Sequence, residues 1–291
     1  MQRRFKAAIA GLLWAAASMV MAEQSCEQTG GAQLSSLLVA RCINVDASSH
    51  PPCNASNRCE WMAEAIRIGC LGLLQDPATA PVYCRSGQEN NASVIAAARQ
   101  TINSAHSAWR KAFPESDPSR IAFSIEELNQ DQREDFAALR PLKDGSVVQL
   151  VVFYGQPDGS FALQFSSGEL AVPVGSKQSV TLKQRYRLVS SDPGSSDPDY
   201  QTKADSFLFF DRNSSTGSLR LQYRLEAGEL RLIGQERTVQ QGKDSNGTSI
   251  NYPAGKVLQW ERRNGKRSET TRKDITLPRL LLPQLNEAML Q

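Results

Sequence analysis

Histidine is nearly absent from this chain. His50 and His106 are the whole complement of the 291 residues, so a Ser-His-Asp or Cys-His machine would have to use one of them. His50 precedes Pro51-Pro52 and His106 falls near the polar edge of a helical pattern, positions that suit surface or packing roles. There is no Gly-x-Ser-x-Gly elbow, His-Glu-x-x-His pair, phosphate loop or dinucleotide fingerprint. No cysteine occurs after Cys84, so no thiol is available to the C-terminal two thirds. Beyond the uncharged stretch Ala7–Met21 there is no long apolar run, and that stretch falls short of the roughly 20 residues of a spanning helix.

The stretch itself follows Arg3, Arg4 and Lys6 and closes on Val20-Met21-Ala22, the pattern of a secretory leader cleaved after Ala22. Residues 1–22 are therefore expected to be a signal peptide, leaving no stable membrane span. The 33 Lys and Arg and 30 Asp and Glu of the whole chain then become 30 against 30. A neutral mature chain gives no footing for nucleic acid, which calls for a basic surface.

Cysteine is concentrated where it does occur. Cys26, Cys42, Cys53, Cys59, Cys70 and Cys84 lie in the first third, and an even count in an exported chain predicts up to three disulfides. Met62, Ile66, Cys70 and Leu73 recur at helical spacing after Cys59, behind a possible capping box at Asn57–Glu60. On one continuous helix Cys59 and Cys70 are separated by about 16 Å, beyond the roughly 7 Å that a disulfide spans. Each must reach a different partner among Cys26, Cys42, Cys53 and Cys84. A second helix is expected from about Ala92, with Val94, Ala98, Ile102, Ala105 and Trp109 on one face and Pro114 at its end. A shorter one is expected at Leu34–Ala40.

Past Phe113–Arg120 the period changes from helical to alternating. Strands are expected at Val147–Phe153, Phe161–Phe165, Ser179–Val189, Ser206–Phe210, Leu219–Leu225, Leu230–Ile233, Lys256–Arg262 and Ser268–Ile275. Tight turns fall at Gln156–Gly159, Ala227-Gly228 and Asn264-Gly265, and a Ser/Pro/Asp-rich loop at Ser190–Asp199. The expected architecture is α+β: a disulfide-braced helical domain over 23–116, an antiparallel β-sheet or sandwich domain of seven to nine strands over 117–277, and a C-terminal tail over 278–291 that docks or stays loose.

The polar segment Glu127-Leu-Asn129-Gln-Asp131-Gln-Arg-Glu-Asp135 places oxygens at the first, third, fifth and ninth positions of a loop, an order that suits a hard cation. With the strand and Pro-Asp-Gly turn that follow, about residues 127–160, it resembles a single degenerate copy of the FG-GAP/VCBS-type calcium loop. The resemblance implies Ca²⁺ on Glu127, Asn129, Asp131 and Asp135, bracing a β-hairpin. Glu127 stands where the pattern has Asp, and Gln132 where it has Gly. No other cofactor is required.

Other features are less specific. Glu126-Glu127 and Glu134-Asp135 are acids of the kind a glycan hydrolase pairs. Trp61, Trp109, Tyr223 and Trp260 sit in apolar registers. Arg262, Arg263, Lys266 and Arg267 surround one hairpin turn and could meet an acidic partner, or keep an edge hairpin from pairing. As a whole the chain is similar to uncharacterised exported proteins of Gram-negative bacteria. The leading expectation is a non-enzymatic interaction protein of the periplasm or exterior: an inhibitor, an immunity-type partner or an accessory factor whose partner is another envelope or secreted protein. The alternatives are a two-carboxylate hydrolase of peptidoglycan or another envelope glycan, and a calcium-stabilised adhesion module.

Overall fold

The computed structural model describes residues 24–45, 52–74, 80–85, 87–189, 200–273 and 276–287. The expected leader, His50 and the loop at 190–199 lie outside them. No described helix is long and apolar enough to cross a membrane.

Three helices come first: α1 (Cys26–Val45), α2 (Cys59–Leu73) and α3 (Asn91–Ala112). The α1 helix is longer than the expected Leu34–Ala40. Its start carries a capping signal of its own: the Gln28 amide donates to Ser25 Oγ, and the Ser25 amide donates to Gln28 Oε1. The box expected at Asn57–Glu60 does not form. The helix starts one residue later than expected, with Arg58 as the N-cap of α2, and a guanidinium has no oxygen with which to accept from the first helical amides. Asn90 caps α3 by accepting from the Ser93 amide at 2.9 Å. As spacing required, Cys59 and Cys70 have different partners. The bonds are Cys26–Cys59, Cys42–Cys53 and Cys70–Cys84. The first and third tie α2 to the start of α1 at one end and to the turn at Val82–Arg85 at the other, while Cys42–Cys53 holds the loop before α2 to the last turns of α1. Three such bonds fit an oxidising compartment.

After the turn at 113–120 the described chain forms twelve strands in two antiparallel sheets. The first holds β1 (Phe123–Glu126), β2 (Asp135–Leu142), β3 (Val147–Gly155) and β4 (Phe161–Ser166) in that order, with β5 (Leu170–Ala171) also on β3. The second is a seven-stranded meander: β6 (Lys177–Val189), β7 (Tyr200–Ser214), β8 (Gly217–Glu226), β9 (Glu229–Gln241), β10 (Asp244–Asn251), β11 (Lys256–Arg263) and β12 (Lys266–Arg272). The sequence reading missed β1, β2, β5 and β10. For β10 the reason is plain: Asp-Ser-Asn-Gly-Thr-Ser-Ile-Asn has turn composition and no apolar alternation.

The layers stack as helices, first sheet, second sheet. Along β2 and β3, Phe136, Ala138, Val151 and Phe153 join the helices in one core, with Trp109 and Ile102 of α3. Their neighbours Ala137, Leu150 and Val152 join Leu208, Leu221 and Tyr223 of the second sheet in another. This explains the four successive apolar residues Leu150–Phe153 of β3, since a strand covered on both faces loses the polar half of its alternation. The tail docks: Leu282 and Leu285 are buried in the second core, and the Leu232 amide donates to Leu280 O. Beyond β9 the meander runs on past its covering layer, and no residue of β10, β11 or β12 is buried.

Because helices and first sheet share a core, they should unfold together. Phe153 is 1% exposed and stacks on Phe136 at 4.3 Å. Phe153→Ala is expected to cost about 3–5 kcal/mol, with far-ultraviolet circular dichroism and tryptophan fluorescence falling in one transition during denaturant titration. Two separated transitions would show that the layers are independent.

Candidate functional site

The acidic segment between β1 and β2 folds around its own amides. Asp135, wholly buried at the start of β2, accepts from the Leu128 amide (2.8 Å) and the Asn129 amide (3.2 Å) on one oxygen and from the Gly155 amide (2.9 Å) on the other. Glu127 accepts from the Gln132 amide at 2.6 Å, Asn129 from the Asp131 amide at 3.1 Å, and Asp131 from the Arg133 amide at 3.0 Å. Gln130 and Gln132 take the left-handed conformation, at φ 62° and 65°, which lets the loop turn without the glycine that its resemblance calls for. Gly155 is where a side chain cannot fit, since a Cβ there would lie 2.4 Å from the Glu134 carbonyl oxygen. Among the described residues no three His, Cys, Asp or Glu side chains converge in a way that could hold a metal. The loop oxygens accept from backbone amides: those on Asp135 and Glu127 are buried or partly buried donors, which must find partners somewhere, whereas the bonds to Asn129 and Asp131 lie at the surface.

Directly beside this loop the helices meet the first sheet through a charged seam. Arg41 of α1 is 4% exposed and its Nη2 donates to Glu134 Oε1 at 2.6 Å and to Thr101 Oγ1 at 3.2 Å. Its guanidinium lies 4.9 Å from the Tyr83 ring centroid, and the Tyr83 hydroxyl donates to Arg41 O. Glu126, at the end of β1, is buried too. It accepts from Asn44 Nδ2 and from the Glu127 amide. Burial first, and then the nearby charge of Glu134, push its carboxyl up to about 7 against the pull of those bonds and of Arg41. Burial likewise raises Asp135 to about 7, opposed by its three amide donors.

Sequence reasoning singled out Glu126, Glu134 and Asp135 as acids but missed Arg41, Tyr83 and Thr101. The signal for Arg41 was present: it lies between Leu38 and Cys42 on the apolar stripe of α1, and a cation on a buried stripe needs a buried partner. A cleft of about 420 Å³ opens along the seam, lined by Arg41 and Glu134 among others but not by Glu126. It therefore presents one acid of the pair rather than two.

His106 takes the packing role. Its Nε2 lies 2.7 Å from Gln33 Oε1, while Gln33 Nε2 donates to Pro118 O and Ile121 O. The amide oxygen can only accept, so Nε2 carries the proton. Burial lowers the imidazole's pKa, assisted by Arg110. Trp109 is buried as expected, whereas Trp61 is 49% exposed. It shares one face of α2 with Ile68 and Leu71, 56% and 54% exposed.

The four cations predicted at one turn are brought together at the tip of the β11–β12 hairpin. Its register sets Arg262 opposite Arg267 and Arg263 opposite Lys266. Intrastrand acids partly answer them: Arg263 bonds Glu261 at 2.7 Å, and Arg267 bonds Glu269 at 2.6 Å while lying over the Trp260 ring. Like charges directly opposite each other destabilise a hairpin.

Two measurements follow from the seam and the loop. A carboxyl raised in the folded state binds more protons than in the unfolded chain between the two pKa values, so its stabilising contribution is complete near pH 4 and is lost as pH rises through about 7. Glu126→Gln should match the native protein at low pH and exceed its stability by roughly 1–3 kcal/mol above pH 8, as read by urea titration across pH. Equal pH slopes would remove Glu126 from this role. For the loop, melting curves in millimolar calcium chloride and in chelator should coincide if the internal amide bonds are its whole purpose; a midpoint raised by calcium would assign its oxygens to a cation. No family model, curated protein or solved structure matches the chain.

Proposed function

We propose that this chain is an exported interaction protein of the bacterial envelope, periplasmic or secreted, which offers its uncovered β10–β12 sheet to an acidic segment of another envelope or secreted protein. The observation that carries this reading is the doubled like-charge pairing at the β11–β12 tip, a costly arrangement in the free protein that an anionic partner would relieve. Composition supports it. Residues 243–273 hold eight Lys and Arg against three Asp and Glu, whereas the chain after the expected leader is balanced overall. Topology supports it as well: β12 ends the meander, no described strand pairs with its outer edge, and all seven of its residues are exposed. Such an edge can add a strand from a partner, with main-chain bonds giving affinity and the flanking cations giving selectivity. The three disulfides, which fit an oxidising compartment, and the leader pattern support a place for this activity outside the cytoplasm.

The test is capture from an envelope extract by the oxidised mature protein and by a variant carrying Arg262→Glu, Arg263→Glu, Lys266→Glu and Arg267→Glu. Reversal keeps two like-charge pairs but removes the Arg263–Glu261 and Arg267–Glu269 ion pairs and the Arg267–Trp260 contact, so a second variant, Arg262→Gln with Lys266→Gln, leaves those contacts in place and should also lose the partner while keeping the native melting midpoint. An acidic protein should be retained by the native chain, released when salt is raised from about 0.05 M to about 0.5 M, and absent from the variant. Recovery of the same proteins by both baits, or of none by either, would refute the proposal.

A further inference from the structure

The cleft at the helix–sheet seam plays no part in the sheet reading, and its walls specify a different ligand. Its charges are already matched internally. Arg41 is paired with Glu134, and Arg133 at its edge is paired with Asp131 at 3.1 Å. A phosphate or carboxylate ligand would face the Glu134 carboxylate, and a hydrocarbon would desolvate a buried ion pair without replacing its water. The remaining polar lining is of another kind. Gln100 of α3, and Gln156 and Ser160 from the β3–β4 turn, contribute amides and a hydroxyl; Ser160 donates its proton to Asp158 and is left as an acceptor, while Gln156 Nε2 donates to Tyr154 O and keeps a second N–H and its Oε1 for a ligand. Phe161, 9% exposed, adds an apolar patch. Arg41 Nε is buried without a hydrogen-bond partner among the described residues and lies behind this wall, so the groups that meet a ligand are the side chains on the cleft surface. At about 420 Å³ the space falls within the ~300–1,000 Å³ of small-ligand sites.

A ligand matching these walls is uncharged, has hydroxyl or acetamido groups on several sides, and carries modest apolar faces. We infer that the cleft binds a neutral sugar unit of a glycan, held between the amides of Gln100 and Gln156 with the Arg41–Glu134 pair on the wall. With a single carboxylate in place and its partner Glu126 buried away from the cleft, the site is one of binding.

Calorimetric titration of the full oxidised chain with neutral disaccharides (diacetylchitobiose, cellobiose and maltose) tests this, with inorganic phosphate and a uronic-acid disaccharide as charged probes. At least one neutral disaccharide should bind. Gln100→Ala and Gln156→Ala should each weaken it by about three- to tenfold, while unchanged melting midpoints without sugar show that the fold is retained. The charge-reversed hairpin variant should bind sugar normally, so this inference and the sheet proposal fail independently. The inference is overturned if no neutral disaccharide binds at millimolar concentration, if only charged probes bind, or if both alanine variants bind as the native chain does.

Discussion

The stacking of Phe136 on Phe153, 4.3 Å apart and nearly parallel, lies at the centre of the first sheet. This cross-strand pair turns its rings toward the helices, where Trp109 of α3 and Phe113 at its end, with Phe123 of β1, meet it at edge and tilted angles. The intervening residues of β2 and β3 turn the other way onto the second sheet. A sheet with both faces buried fixes its register strongly, because a one-residue slip would exchange the two faces. Here that exchange would drive the aromatic side chains into a layer filled by leucines. The order of all three layers therefore depends on the alternation of β2 and β3.

Polar residues do at the seam what aromatics do in the core. Three helices, of which α1 and α2 are stapled by a disulfide and α3 by none, cannot choose by themselves which part of a sheet they cover. Apolar contact is non-directional, while the Arg41–Glu134–Thr101 contacts join α1, α3 and the loop leading into β2 at defined atoms. Asp135 then fixes the loop that presents Glu134, through donors on both sides of β2. A buried ion pair of this kind contributes little net stability. Its effect is to set orientation, and it also creates a polar wall, which is why a ligand-sized cleft lies along this line.

The sequence disclosed what depends on local pattern and concealed what depends on tertiary pairing. The Cys59–Cys70 separation excluded one disulfide and left each cysteine its own partner, because helix rise is a local quantity. The β8–β9 hairpin was visible from strict alternation and a two-residue turn. The left-handed conformations at Ala227 and Gly228 show that the turn holds even without Asn at its first position. In contrast β2, Asp-Phe-Ala-Ala-Leu-Arg-Pro-Leu, has small residues on both faces because it lies between two layers, and nothing local distinguishes it from a loop. At the candidate site the acids were legible as acids. Their roles were not, since whether Asp135 meets a cation or three amides depends on where Gly155 returns, twenty residues later.

The β10–β12 extension raises a separate physical question, because a sheet without a covering layer must hold itself together. It does so with a local clamp. Gly247 lies opposite Trp260, and a Cβ on Gly247 would fall 2.5 Å from the indole, so the ring rests on the glycine backbone. Arg267 lies over the ring at 4.9 Å. An aromatic covering a cross-strand glycine compensates for the missing side chain, and a guanidinium over indole adds a cation–π contribution. With Arg267 engaged in this way, one cation at the tip is explained by the hairpin's own stability. Arg262, Arg263 and Lys266 are not: Arg262 faces Arg267 across the strands and Lys266 faces Arg263, in each case against the hairpin's interest. Edge protection alone could be met by one or two charges; the proposed acidic partner would answer the like-charge pairs that remain, with Arg263 already sharing Glu261 on its own strand.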